Sequence, residues 1–228
     1  MSVPATKMRN CAEEPIVTAA GVRRPVVVMI DEFLRRTIDL TLCTLSLILL
    51  FPLFLALAIA IKMDSPGPVL FIQKRVGKDG VEFPFFKFRS MYIDSEERRA
   101  ALLVDNEATG PLFKMKQDPR ITKVGRLIRR SSIDELPQLL NVLRGEMTLV
   151  GPRPALPVEV ATYSDKERQR LVVTPGLTGL WQVSGRSDLS FEQAIHLDLE
   201  YIRRRSVLLD VEIMAKTIPA VVAGRGAY

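Results

Sequence analysis

One histidine, two cysteines and one tryptophan in 228 residues leave several chemistries without the residues they need. His196 alone excludes the usual histidine-rich metal sites and leaves a Ser-His-Asp triad only through that one residue. It falls in a stretch of helical period, 191–205, where a structural histidine is the plainer reading. Cys11 lies in a polar tail and Cys43 in an apolar run, so neither a disulfide framework nor a CxxC metal site is present. No GxxxxGK[ST] loop and no GxGxxG fingerprint occurs, which argues against NTP-hydrolysing and dinucleotide-binding domains. The basic residues form no concentrated stripe interleaved with aromatics, so no nucleic-acid partner is expected. Acidic residues are outnumbered: 32 Lys and Arg stand against 26 Asp and Glu, for a net charge of +6. Such a balance selects an anionic partner, and with nucleic acid set aside that leaves a phospholipid surface or a phosphorylated substrate.

What is present is unevenly placed. The length suits one good core with an appendage. Residues 1–25 carry Pro4, Pro15, Gly21 and Pro25 without a sustained period and read as a flexible tail. Residues 40–61, LTLCTLSLILLFPLFLALAIAI, hold no charge and would extend about 33 Å as a helix, enough to cross a bilayer core. Pro52 interrupts the run, deletes a backbone hydrogen bond and should kink it. Basic residues flank both ends: Arg23, Arg24, Arg35 and Arg36 before, Lys62, Lys74, Arg75 and Lys78 after. A spanning helix usually shows an asymmetry of positive charge. Two readings stay open on these features: a single span, or a helix that enters, bends at Pro52 and returns to the same face.

Ser65-Pro66-Gly67-Pro68 is a rigid exit. Residues 69–76 and 82–91 then read as two strands joined by the turn Gly77-Lys78-Asp79-Gly80, with Pro84 confining the second strand to an edge or a late start. Alternation puts Phe83, Phe85, Lys87, Arg89 and Met91 on one face, so Lys87 and Arg89 form a two-pronged phosphate clamp or a solvated edge. A charged helical stretch follows at 93–105, a loop or short strand at 109–116, and a short basic helix at 124–130. Residues 157–171 read as an amphipathic helix, 174–186 as a glycine-bearing loop around Trp181, and 191–205 and 208–222 as two final helices. Trp181 could carry a nucleotide base or fill a core under the loop.

The densest chemistry lies at 129–154. An adjacent carboxylate pair, Asp134-Glu135, sits in the first turn of a short helix that Gly145 ends; Ser132 and Glu135 have capping-box spacing, although Pro137 favours a start nearer Asp134. Alone, such a pair reads as a helix cap. Among Arg129, Arg153 of the turn Gly151-Pro152-Arg153-Pro154, and the hairpin cations, it also suits phosphate chemistry. A helix start and nearby arginines favour an ionised carboxylate, which can attack phosphorus while its neighbour holds a cation or handles a proton. Mg²⁺ is the natural ion for one or two carboxylates together with substrate phosphates, and arginine gives the bidentate contact that phosphate accepts.

Several blocks, SPGPVLFIQKRVG (65–77), FPFFKFRSM (83–91), DPRITKVGRLIRRSSIDELPQLLNVLRGEMTLVGPRP (118–154) and PGLTGLWQVSGR (175–186), together with the Pro-interrupted apolar helix, make the chain similar to the bacterial sugar transferases, or monotopic phosphoglycosyl transferases. The resemblance covers nearly everything after about residue 30. It implies an α+β monotopic membrane protein: a re-entrant helix over 26–63 kinked at Pro52, and a mostly helical catalytic domain over 64–228 carrying a small β-hairpin. That domain would sit on the cytoplasmic face of the bacterial inner membrane, as a minimal catalytic unit. It implies transfer of a sugar-1-phosphate from a UDP-sugar to undecaprenyl phosphate, the first membrane step of exopolysaccharide or other surface glycan synthesis. Asp134 would be the nucleophile, forming a phosphosugar-aspartyl intermediate and expelling UMP, and would hold the required Mg²⁺. Glu135 would position groups or handle a proton. Lys87, Arg129 and Arg153 would bind phosphate, with Pro154 as the neighbour of Arg153. The alternative is a membrane-anchored scaffold of polysaccharide assembly without catalysis. Neither the sugar nor a homodimer, for which the last helix is available, is fixed by these residues.

Overall fold

A single helix, α1 (Pro25–Asp64, 40 residues), leads the chain in the computed structural model, which describes residues 25–101, 115, 118–186 and 189–222. At 1.5 Å per residue it extends about 60 Å. It covers the segment expected at 26–63 and runs as one helix through Pro52, where a kink was expected. By length and composition it is capable of crossing a membrane. The expected tail lies outside the described residues. One side of α1 carries a stripe at helical spacing, Arg35, Asp39, Cys43, Leu47, Phe54, Leu57 and Ile61, that is withdrawn from solvent. Leu45, Ile48, Leu49, Phe51, Leu55 and Ile59 on the remaining surface are all exposed, an apolar area larger than a soluble surface normally carries.

The hairpin forms where alternation and the Gly-bounded turn place it: β1 (Leu70–Val76) pairs antiparallel with β2 (Glu82–Phe88). The second strand stops three residues short of the expected Met91, which instead bridges Ile121. A further sheet was not anticipated. β3 (Thr148–Val150) and β4 (Gly176–Thr178) pair in parallel, so the segment read as a loop at 174–186 contains a strand and a short helix, α7 (Leu180–Ser184). Close approach explains its glycines: a Cβ on Gly176 would lie 2.0 Å from the Gly151 nitrogen.

Between the hairpin and β3 come α2 (Ser95–Ala101), α3 (Lys123–Arg130), a 3₁₀ helix (Ile133–Gln138) and α4 (Leu139–Arg144). The remainder of the stretch expected helical to 105, and nearly all of 109–116, lie outside the described residues. Thr122 caps α3 by accepting from the Gly125 amide at 2.9 Å, and Asp64 at the end of α1 accepts from the Val124 amide at 2.8 Å. Gly145, in the left-handed region at φ 82°, ends α4 as its sequence position suggests. The stretch 157–171 is not one helix. It breaks into α5 (Pro157–Val160), α6 (Asp165–Arg168) and a 3₁₀ turn, because Ser164 and Glu167 build a capping box that restarts the chain. Two longer helices close the fold, α8 (Phe191–Arg204) and α9 (Val207–Val222).

Three apolar clusters hold these parts together. Cys43 of α1 meets Phe83 and Phe85 of β2, Leu139 and Val142 of α4, and Met147. Ile61, near the other end of α1, meets Phe88 and Ile128 of α3. Val150, Tyr201, Leu209 and Ile213 join β3 to α8 and α9. Full burial of a side chain such as Phe85 stabilises by about 1.5–3 kcal/mol. The first two clusters therefore fix β2, α3 and α4, and the 3₁₀ helix that joins α3 to α4, relative to both halves of α1.

Candidate functional site

The carboxylate pair is set by backbone geometry rather than by a cap. Ser132 takes a left-handed conformation, φ 55° and ψ 17°, and its hydroxyl caps nothing. The capping box expected between Ser132 and Glu135 does not form, because the Glu135 carboxylate is drawn to two cations instead. Lys87 Nζ donates to Glu135 Oε1 at 2.7 Å, and both terminal nitrogens of Arg153 reach the same oxygen at 3.3 Å. Neither acid serves as the helix cap that the bland reading of the pair assigns.

The two carboxylates differ in surroundings. Asp134 Oδ2 lies 3.9 Å from Lys87 Nζ, and no donor reaches its carboxylate within hydrogen-bond distance among the described residues. Its side chain is only 8% exposed. Burial raises the Asp134 carboxyl above its ordinary value; Lys87 opposes the rise, the negative charge of Glu135 adds to it, and Arg129 and Arg153 oppose it. Burial would raise Glu135 as well, but the Lys87 and Arg153 charges, with their hydrogen bonds, override it and hold that carboxyl well below the usual range. Glu135 is thus a fixed anion between two cations, while Asp134 is a desolvated carboxylate with its lone pairs uncommitted.

Lys87 reaches this point because β2 packs on the 3₁₀ helix and α4. Asn141, fully buried, accepts from the Phe86 amide at 3.2 Å and donates to the Pro84 carbonyl at 2.6 Å, pinning α4 to β2. The Arg129 side chain, on the last turn of α3, forms no ion pair or hydrogen bond among the described residues, yet its charge acts on both Asp134 and Asp118. Arg153 and Pro154 arrive on the turn after β3.

Of the residues singled out from the sequence, Lys87, Asp134, Glu135 and Arg153 lie together, Arg129 lies within electrostatic reach, and Pro154 adjoins them. Arg89 does not join. Strand β2 ends at Phe88, and the Arg89 guanidinium turns to the end of α1, donating to the carbonyls of Pro66 at 2.5 Å, Ser65 at 2.7 Å and Ile61 at 3.3 Å. It satisfies carbonyls at a helix C-terminus, and the two-pronged clamp is reduced to Lys87. Trp181 is half-buried, and His196 is exposed on α8.

Sequence reasoning missed Arg75. Its guanidinium lies 5.2 Å from the Phe85 ring centre, across which Lys87 lies at 5.5 Å. It donates to the Pro154 carbonyl at 3.1 Å. The signal was available: Arg75 pairs with Phe83 and Gln73 with Phe85, and directly opposed residues share a face, so Arg75 lies on the Lys87 face once the register is known.

No group of three or more His, Cys, Asp or Glu that could hold a metal occurs among the described residues. A dedicated protein cage is therefore absent there. The donor set fits a hard cation held by one carboxylate and completed by phosphate oxygens, and Asp134 is the carboxylate with free lone pairs.

The family described as bacterial sugar transferase matches residues 30–224. A relative named galactosyl transferase CpsE, from Streptococcus agalactiae serotype III, is 44% identical over 194 residues, 85% of this chain and 43% of that protein. Undecaprenyl-phosphate galactose phosphotransferase of Salmonella typhimurium is 42% identical over 202 residues, 87% of this chain and 42% of its own length. Exopolysaccharide production protein ExoY of Sinorhizobium fredii is 40% identical over 198 residues, 85% of this chain and 88% of that one. The chain thus spans less than half the length of the first two relatives and most of the third.

Proposed function

The chain belongs to the bacterial sugar transferase family, and from that premise we propose that it transfers a sugar-1-phosphate from a UDP-sugar to undecaprenyl phosphate at a membrane surface, an early step of surface glycan synthesis. The observation that carries this reading is the contrast inside the carboxylate pair: Asp134 is buried with no hydrogen-bond donor among the described residues, while Glu135 is clamped by Lys87 and Arg153.

In the proposed reaction an Asp134 oxygen attacks the sugar-linked phosphorus of the UDP-sugar. The bond from that phosphorus to the bridging oxygen breaks, and UMP leaves with both electrons. The sugar phosphate is then joined to Asp134 as an acyl phosphate. A phosphate oxygen of undecaprenyl phosphate attacks the same phosphorus, the carboxylate leaves, and undecaprenyl diphosphate-sugar forms. Desolvation favours this attack, because a carboxylate without hydrogen-bond donors holds its lone pairs available. Lys87, Arg129 and Arg153 bind the phosphate oxygens, and Glu135 keeps two of those cations in place. Mg²⁺, held by Asp134 with substrate oxygens, would supply further neutralisation of phosphate charge. Covalent capture lets a soluble donor and a lipid acceptor be handled in turn at one site.

The helix serves the same reading. Both halves of α1 pack against the one domain, through Cys43 on one side of Pro52 and Ile61 on the other. Together with basic residues before and after the apolar run, this supports a helix that dips into the cytoplasmic leaflet of the bacterial inner membrane and bends back at Pro52. In a Cys11→Ser background, cysteines placed at Ala20 and Met63 should react with an impermeant reagent from one side; labelling from opposite sides would establish a span. The activity is tested by UMP release from a panel of UDP-sugars in the presence of undecaprenyl phosphate and Mg²⁺. One sugar should give rapid release, and no release from any would remove the reading.

A further inference from the structure

The turn that carries Arg153 is held at four successive carbonyls. Pro152 O accepts from the Gly176 amide at 2.8 Å and Ala155 O from the Val76 amide at 2.9 Å, which are ordinary backbone contacts. The two carbonyls between them are held by guanidinium groups. Arg170 Nη2 donates to Arg153 O at 3.1 Å, and Arg75 Nη1 donates to Pro154 O at 3.1 Å. We infer that Arg75 and Arg170 are positioning residues for Arg153: they fix the peptide on which it is mounted and so aim its side chain at Glu135 and at a phosphate bound before Asp134.

The local chemistry explains why guanidinium groups are used. Pro152 and Pro154 have no N–H, so the turn cannot brace itself through its own ladder. Arg153 is a long side chain with several rotamers, and its aim depends on the backbone beneath it. Each brace is itself fixed. Arg170 is buried, donating to Asp198 Oδ2 at 2.5 Å and to the Tyr163 hydroxyl at 2.7 Å. Arg75 donates its other terminal nitrogen to Gln73 Oε1 at 2.9 Å and lies over the Phe85 ring that also carries Lys87. The two braces therefore tie the turn to β1, to the Lys87 platform and to α8. Arg75 stands near a like charge: burial, then Arg153, lower its guanidinium to about 10, against the pull of Glu159 and Glu135. That arrangement is unfavourable for a brace alone and suits a cluster built to receive an anion.

The inference rests on the reading of Arg153 as a phosphate-binding group of a phosphoglycosyl transferase. The test uses the full chain in detergent or nanodiscs, undecaprenyl phosphate, Mg²⁺ and the UDP-sugar from the panel that wild type turns over fastest. Arg75→Ala should lower kcat about 10²-fold, the scale expected when a group is misplaced by about 1 Å, with a much smaller change in KM. Arg75→Lys, which can still donate to Pro154 O, should recover part of the loss. In an Arg153→Ala background, adding Arg75→Ala should change kcat by less than about twofold, because the brace then has nothing to aim. Arg170→Met combined with Asp198→Leu removes the second brace without leaving a buried charge unpaired, and should reproduce the kcat loss if Arg75→Ala fails to fold. Lys74→Ala, exposed one residue away, should behave as wild type. Wild-type kcat in both brace variants, or losses that multiply in the Arg75→Ala/Arg153→Ala double variant, would overturn the inference. A wild-type chain that releases no UMP from any UDP-sugar would instead remove the functional reading and the inference with it.

Discussion

Two of the charge clusters among the described residues treat their carboxylates in opposite ways. At the junction of α1 with α8 and α9, every carboxylate has a donor. Asp31 accepts from Arg35 Nε at 2.8 Å, Asp39 from the Leu149 amide at 3.1 Å and Glu32 from Arg205 at 2.5 Å, while Asp210 accepts from Arg35 and from the Tyr201 hydroxyl. At the 3₁₀ helix, Glu135 is doubly held and Asp134 has no hydrogen-bond donor among the described residues. Burying a charged group without donors is costly, so a fold has no structural reason to do it. The difference separates charges that join elements from a charge kept for chemistry.

The sharpest way to break the comparison is Asp134→Asn. Loss of a nucleophile should reduce sugar-phosphate transfer on the order of 10⁴-fold or more, measured by UMP release, with a thermal unfolding midpoint no lower than that of the wild type. The complementary change at the junction is Asp210→Ala. It removes one of the two carboxylates that hold the buried Arg35, leaving Asp31, and should cost about 1–3 kcal/mol of stability in denaturant titrations, while the folded fraction retains its kcat. Glu135→Gln should fall between these. Lys87 and Arg153 lose the anion they share, and kcat should drop about 10²-fold at nearly constant stability.

A smaller effect comes from pH. Burial raises the Asp210 carboxyl to about 6, against Arg35, Tyr201 and Arg205, with Asp39 adding to the rise. A carboxyl whose folded pKa lies above its unfolded value binds its proton more tightly when folded. Its contribution to stability is present below about pH 4 and is lost as pH rises through about 6, a change of roughly 2–3 kcal/mol. The unfolding free energy should therefore fall between pH 4 and pH 7 by more in the wild type than in Asp210→Asn; equal slopes would show that Asp210 does not titrate in that window.

Much of this was legible in the sequence where local rules dominate. The hairpin followed from alternation and a glycine turn, and α4 from a terminal glycine. The site was legible as a set of residue types, but its roles depended on three-dimensional partners. Lys87 and Arg89 looked equivalent two residues apart. Only the end of β2 at Phe88, and the unpaired carbonyls at the close of α1, send Arg89 away from the site. Ser132 and Glu135 had the spacing of a capping box, yet a long-range lysine and arginine outcompete a local amide for Glu135. Arg170 and Asn141 act through contacts 17 and 57 residues away in the chain, which no local pattern encodes.

The most direct test of the central claim is a single turnover without the lipid acceptor. The full chain is mixed with Mg²⁺ and its preferred UDP-sugar, radiolabelled in the sugar, with undecaprenyl phosphate withheld. The account predicts a burst of UMP stoichiometric with enzyme, and label on the protein that is absent from Asp134→Asn and discharged when undecaprenyl phosphate is added. UMP released only after the lipid arrives, with no label ever on the protein, would contradict it.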